Sequence, residues 1–402
     1  LADGVAAAPQ LQEPDWLQEG RDRAKKLALE LELPTQKQKG WEFTDLSALE
    51  LDGYTEAVAR IDGLAADDGT SDGGADGPIV LPLAEAATAH PELVRERLGQ
   101  IVAADDSFTA RNQARWRDGV LVWVPRGARL EQPLRLTVSA EPGEEVEWRL
   151  LIVLEEGAEA EVWERYSSEA GGEALFNGVV ELIVGDGANL RYVCEQQLSE
   201  ESWIFATQRA EIGREANLEW VALGFGSARG KVRMETKLAG RGSSAKVTGA
   251  YAGAATQHLD YDTTQEHAAE DTVSDLAFRG VLAERATAVW RGMIRVDPGA
   301  QRTDAFQESR NLLLSTDAHA DAIPGLEIEA DDVRCTHAAA IAQVDAEQLY
   351  YLRAHGLPES EAKRLVIEGF LQELVVRAQA GPIRDALRDE LEARLERLLA
   401  AS

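Results

Sequence analysis

Apolar and polar residues alternate along most of the middle of this chain. Val120-Leu121-Val122-Trp123-Val124, Leu134-Arg135-Leu136-Thr137-Val138, Val146 to Leu154, Val179 to Val184 and Leu190 to Val193 share a period of two. That period places neighbouring side chains on opposite faces of a strand. Their length and their β-branched and aromatic content also fit strands. The alternation runs from about Val120 to Gln343 with no helical stretch inside it, which argues against folds built from strand–helix–strand units.

A longer period lies over the short one. The turn Gly127-Ala128 returns as Gly157-Ala158, Gly187-Ala188, Glu215-Ala216 and Ser244-Ala245, with alanines 30, 30, 28 and 29 residues apart. Similar phrases follow, as in Asn189-Leu190-Arg191-Tyr192-Val193 and Asn217-Leu218-Glu219-Trp220-Val221. A repeat near 30 residues made of strand and turn predicts a β-helix, whose coils bury their apolar faces only by stacking. A sandwich would turn every roughly 8 to 12 residues without this longer period. Further coils read through Leu282 to Val289, Met293 to Val296 with Pro298-Gly299-Ala300, and Leu312 to Leu314. Gly224-Phe225-Gly226 and Gly240-Arg241-Gly242 lack the strand–loop–helix setting of a nucleotide-binding motif and read as tight turns between coils.

Helical periods flank this region. Trp16 to Leu33 carries Leu17, Leu27, Leu29 and Leu31 among charges, and Pro34 ends it. A second stretch, roughly 84–103, follows Pro82. Between the first two helical stretches, Trp41-Glu42-Phe43-Thr44-Asp45-Leu46 reads as a docking corner that buries Trp41 and Phe43. The stretch GLAADDGTSDGGADG from Gly63 to Gly77 reads as a mobile loop or linker. After Gln343 three helices are expected over about 346–355, 360–380 and 383–399, the first capped by Asp345 with Gln348 three residues on. The expected domains are an N-terminal helical region 1–105, a β core 106–343 and a C-terminal helical region 344–402. Solenoids need covered ends, and the flanking helices are the expected caps.

Charge narrows the partners. With 71 Asp+Glu against 41 Lys+Arg the formal net charge is -30, so the surface repels nucleic acid and anionic lipid. The excess suits either adaptation to high salt or an ordinary acidic cytosolic protein. Cys194 and Cys335 are too few for a disulfide framework. No apolar run of about 18 residues or basic-then-apolar leader stands in the sequence. A soluble cytoplasmic protein is expected.

The candidate chemistry is sparse. Cys335 and His337 sit two apart on an extended segment, so thiol and imidazole point the same way, as a soft and a borderline donor for iron, copper or zinc. Two donors leave a tetrahedral site incomplete, and the rest would come from another chain. Among six histidines only His337 has a second donor visible beside it. The bland alternative is a small packed thiol next to a hydrogen-bonded imidazole. Buried free thiol is the expectation for Cys194.

From about Gln257 to Glu373 the chain closely resembles the SufB/SufD family of iron–sulfur cluster assembly scaffolds. The resemblance rests on HLDYDTTQEHAAEDT, FRGVL, WRGMIRVDPGAQRTDA, NLLLS and PGLEIEADDVRCTHAAAIAQVDAEQLYYLRAHGLPESEAKRLVIEGF, with the 41–46 segment similar to the family's WxxTDL. It implies a right-handed parallel β-helix core between N-terminal and C-terminal helical domains. It further implies pairing of a SufB chain with a SufD chain through their β-helices, and docking of the ABC-type ATPase SufC on the C-terminal helices. SufB-type chains carry a Cys just before the segment here reading Asn311-Leu312-Leu313-Leu314, and a His-Glu where this chain has His337-Ala338. Cys335-Thr336-His337 instead matches the Cys-x-His of the SufD-type branch. The sequence departs from the family at Ala338-Ala339-Ala340, where Gly-Ala-Thr is usual, and at Ile323, where Thr precedes Pro.

The implied function is a non-enzymatic scaffold subunit. A transient iron–sulfur cluster would be held by His337 and Cys335 at an interface completed by the SufB-like chain. The SufC-like ATPase would dock on helices 346–355 and 360–380 through Tyr350, Tyr351, Leu352 and Phe370. In isolation such a chain could pair with itself. Two other readings compete: a β-helix carbohydrate-active enzyme using carboxylates such as Asp260 and Asp262, and a purely structural subunit with no ligand.

Overall fold

The structure, a computed structural model, describes residues 13–63, 77–378 and 381–401. The predicted linker over 63–77 lies almost wholly outside the described residues. Sixteen strands, from Asp118–Val124 to Arg334–Gln343, alternate between two sheets. Each pairs in parallel with the strand two places on in sequence, as Trp203–Ile212 does with Arg229–Leu238 and Asn217–Gly224 with Ser244–Gly253. The chain therefore climbs one coil for every two strands, eight coils in all, as a β-solenoid. The first sheet begins with Asp118–Val124 and ends with His319–Ile328, and the second begins with Leu134–Ala140 and ends with Arg334–Gln343.

Stacking keeps each inward position above another. Trp148, Gly178, Ala206, Val232, Tyr261, Trp290 and Ala322 form one such column in the first sheet. Gly178 and Ala206 follow Trp148, and Ala322 follows Trp290, so each indole has room on one side.

The turns explain the 30-residue phrase. Gly127, Gly157, Gly187, Glu215, Gly242, Asp271 and Arg302 all have φ between 55° and 73°. Each precedes a small residue, from Ala128 to Thr303. Their N–H groups bond to the next coil's turn, as Gly127 to the Glu156 carbonyl at 2.8 Å and Gly157 to that of Asp186 at 2.8 Å. This left-handed conformation disfavours most side chains, hence the recurring glycine. The register Asn217↔Ser244 places Gly242-Ser243, not Ser244-Ala245, as the fifth member. Likewise Leu282 to Val289 is no single coil segment: Leu282 ends one strand, and the next begins at Thr287.

The helices cover faces rather than ends. Four lie N-terminal to the solenoid: α1 Asp15–Glu30, α2 Leu83–Ala89, α3 Pro91–Arg97 and α4 Ser107–Arg115. The single helix predicted over 84–103 is split, because Pro91 starts a new helix and His90 before it is non-helical. The fourth was not predicted; Asp106 caps it through the N–H groups of Phe108 and Thr109 at 2.9 and 2.8 Å. These elements bury Leu121, Leu151 and Val153 under Leu83, Ala86 and Val94, and Leu175, Trp203 and Phe205 under Trp41, Leu46 and Phe108. Trp41 is 9% exposed, but Phe43 is 37% exposed and lies beside Arg291. The expected docking corner thus buries Trp41 and Thr44 instead of both aromatics.

C-terminal to the solenoid come α5 Ala346–Ala354, α6 Glu359–Arg377 and α7 Pro382–Ala401. Helices α6 and α7 lay Ile367, Leu371, Leu374, Leu387, Leu391 and Leu395 on the outer face of the second sheet, against Val193, Val221, Leu223 and Val281. Asp345 caps α5 by accepting from the Glu347 N–H at 2.8 Å, one residue short of the capping-box position with Gln348.

The two ends of the solenoid differ. At the start, Arg60–Asp62 and Ile79–Pro82 pair antiparallel with Leu134–Ala140 and Asp118–Val124 and close the first coil. At the other end His319–Ile328 and Arg334–Gln343 each have a strand neighbour on one side only, among the described residues. No described helix is long and apolar enough to cross a membrane.

Candidate functional site at the open end of the solenoid

The last coil is a strand pair without a successor. Its inward positions include Leu326, Ile328 and Ile341, all exposed because no further coil covers them. Unpaired N–H and C=O groups run along both strands beside this apolar surface, and such an edge is a template for another chain.

Cys335 and His337 stand on this edge strand. Register sets Cys335 opposite Ala305 and His337 opposite Gln307. Ala305 and Gln307 are buried on the lumen side, so both donors face the lumen at its open end, as their spacing predicts. Cys335 packs with Val333 and Ala330 against Ile294, Val296, Ala300 and Ala305. Burial pushes its thiol pKa up and the charge of Asp304 pushes it further, so in the lone chain sulfur is held as thiol. His337 is exposed. Beneath it the Gln307 amide donates through Nε2 to the carbonyls of Gly325 at 3.0 Å and Gly292 at 3.4 Å. Its Oε1 is buried with no hydrogen-bond partner among the described residues.

Cys335 and His337 are the two donors this strand brings to the spot. Among the described residues no three His, Cys, Asp or Glu side chains gather in a way that could hold a metal ion. A thiol and an imidazole are the right chemistry for iron or an iron–sulfur cargo, but a tetrahedral set needs ligands from elsewhere.

Other candidates have local partners. His267 is buried between Thr272 and Ser274 hydroxyls, each 2.8 Å from a ring nitrogen, and burial lowers its pKa to about 4. His258 bonds Thr287 at 2.8 Å. Asp260 lies 2.8 Å from the buried Lys231 ammonium and accepts from Thr44 at 2.5 Å. Asp262 lies 3.6 Å from Lys231 and 3.4 Å from Arg291. The pair considered for sugar chemistry is thus part of the anchor holding the 41–46 segment. Cys194 is buried in the lumen and accepts from Gln208 Nε2 at 3.1 Å.

The docking candidates divide. Tyr350 is 74% exposed and Tyr351 63%; Leu352 and Phe370 are half-buried. Phe370 packs toward the second sheet, with the Arg279 guanidinium 5.8 Å from its ring centroid. Sequence reasoning missed the cluster that fixes α6, in which Arg279 lies 2.6 Å from Glu308 and 2.8 Å from Glu373. It also missed the uncovered apolar lumen end, which was detectable as inward leucine and isoleucine in the last strands before the helical period.

An open-ended β-solenoid with helices laid on both faces, carrying a soft–borderline donor pair at its free edge, is the class these features define. Two family models cover it: the SufBD core domain of the SUF system for FeS cluster assembly matches residues 137–370, and the SufBD N-terminal region matches 62–136. The chain belongs to the SufBD family. A SufBD-family iron–sulfur cluster assembly protein of Mycobacterium tuberculosis is 30% identical over 91% of this chain and 90% of its own length. The iron–sulfur cluster assembly protein SufD of Bacillus subtilis is 29% identical over 90% of each chain. A SufBD-family protein of Synechocystis is 27% identical over 93% of this chain and 90% of its own.

Proposed function

We propose that this protein is a SufD-type, non-catalytic subunit of an iron–sulfur cluster assembly scaffold. In this reading its last coil pairs edge to edge with the last coil of an unlike, SufB-like chain. The observation that carries the proposal is the open end: two exposed edge strands, exposed inward leucine and isoleucine, and a donor pair too small to hold a cluster alone. Strand pairing would satisfy the backbone, and a facing apolar lumen would cover Leu326, Ile328 and Ile341.

Within that joint His337 and Cys335 supply nitrogen and sulfur from one side, and the SufB-like chain supplies the remaining ligands to the cluster as cargo. Mixed ligation across an interface lets the cargo leave when the joint loosens. Tyr350 and Tyr351 on α5, with α6 beside it, are the surface proposed for a SufC-like ATPase. Without the unlike subunit, the same edges would pair two copies of this chain.

Co-expression with SufB-like and SufC-like chains and purification through a tag on this chain tests the reading. A stoichiometric complex is expected, with cluster content lowered by His337→Ala and less by Cys335→Ala. Failure of the partners to co-elute would overturn it.

A further inference from the structure

Among the described residues five cationic side chains are buried, and four have a carboxylate. Arg21 lies 2.8 Å from Glu13, Arg149 3.2 Å from Glu181, Lys231 2.8 Å from Asp260 and Arg279 2.6 Å from Glu308. The fifth, Arg394 on α7, is 6% exposed and makes no ion pair among the described residues. Its Nη2 donates to the Ala252 carbonyl at 2.8 Å and to Gln257 Oε1 at 3.3 Å, and its Nε is buried with no acceptor. A buried guanidinium with only neutral partners is costly, because desolvation disfavours the charge and two neutral acceptors return only part of the lost hydration. In a chain with 71 carboxylates the omission is not for want of candidates.

Arg394 lines a cavity of about 450 Å³ between α7 and the corners that leave the second sheet. Arg397, one turn further along α7, lines the same space, as do Ser168 and Ser199. Two cations three residues apart on a helix repel one another, and the charge of Arg397 adds to burial in lowering the Arg394 pKa to about 10. We propose that Arg394 and Arg397 form a binding site for a small oxyanion, a phosphate or a carboxylate. A planar guanidinium with only neutral partners, lining a cavity beside a second guanidinium, matches such a group.

The exposed acids on the lining set its limits. Glu200, Glu201 and Glu284 repel a polyanion, so the ligand is small. Glu284 is tied to the Ala255 N–H at 2.5 Å. The charge of Glu200 reaches Arg394 without an ion pair, and it is the group that could compete with the ligand.

Calorimetric titration of the full chain with sodium phosphate, and separately with sodium acetate, in chloride buffer at constant ionic strength tests the site. Saturable binding of at least one anion is expected, weakened at least tenfold by Arg394→Met and less by Arg397→Met. Phosphate alone would identify a phosphoryl ligand, acetate alone a carboxylate. Glu200→Gln should tighten binding without lowering the unfolding temperature. No saturable binding, equal binding by the Arg394→Met chain, or loss of stability in Glu200→Gln would overturn the proposal. Should Arg394→Met fail to fold, Arg397→Met and Glu200→Gln carry the same comparison.

Discussion

Glu195 of the solenoid and Glu390 of α7 share one guanidinium: Arg165 Nη2 lies 2.7 Å from a carboxylate oxygen of each. Gln197 donates to both as well, at 2.8 Å to Glu390. Burial, with the Glu390 charge, raises the Glu195 pKa to about 7 despite Arg165. A carboxyl whose folded pKa lies above its unfolded value near 4.5 binds its proton more tightly when folded. Its contribution to stability is complete below about pH 4.5 and is lost as pH rises through about 7.

The seam between α7 and the second sheet should therefore weaken between those pH values. Glu195→Gln keeps the shape without the charge and should be more stable than the parent at pH 8, by on the order of 1–2 kcal/mol, and nearly equal at pH 4.5. Urea unfolding at both pH values checks it; a constant difference between the two chains would contradict a raised Glu195 pKa.

The anchor of the 41–46 segment gives a second expectation. Lys231→Met leaves Asp260 buried with its Thr44 bond and no cation, which should cost about 3–5 kcal/mol. Thr44→Val removes the hydroxyl that bonds Asp260 and, at 3.3 Å, His258, and should cost about 1–2 kcal/mol. The double variant Lys231→Met, Asp260→Asn should recover part of the first loss, since no buried charge is left alone. Denaturant midpoints of the three chains decide it.

Turn glycines should separate into two kinds. At Gly157 an added methyl group would meet nothing closer than 3.9 Å, but φ is 69°, so Gly157→Ala should cost only about 1 kcal/mol of backbone conformation. At Gly226 the same methyl would meet the Leu198 carbonyl oxygen at 2.2 Å and its nitrogen at 2.3 Å. Coils would have to part, and Gly226→Ala should cost about 3 kcal/mol or more. Thermal unfolding of both variants makes the comparison.

The solenoid was legible because in-register stacking repeats the same local demand in every coil. A left-handed turn followed by a small residue leaves glycine–alanine phrases at the coil period, and alternation marks inward and outward positions. The repeat was lost at Ser244 because the step from Ala216 to Ser243 is shorter, 27 residues, and serine replaces alanine at the buried position. Helix α4 was hidden because Phe108 is its one large apolar side chain.

At the candidate site, the pairing of Cys335 with His337 followed from strand geometry alone. Gln307 beneath His337 did not, because only coil-to-coil register brings them together. Arg394 looked like any surface arginine of an amphipathic helix; its isolation depends on which corner of the solenoid α7 lies against. That the helices cover faces could not be read either, since apolar stripes say that a helix is covered, not by what.

Hydrogen exchange of the backbone amides in His319–Ile328 and Arg334–Gln343, for this chain alone and bound to a SufB-like chain, tests the edge-pairing account most directly. Residues in these two strands should become markedly protected in the complex, while the Arg60–Asp62 and Ile79–Pro82 end stays unchanged. A complex that forms with these amides still exchanging freely, or with protection only at the closed end, would contradict it.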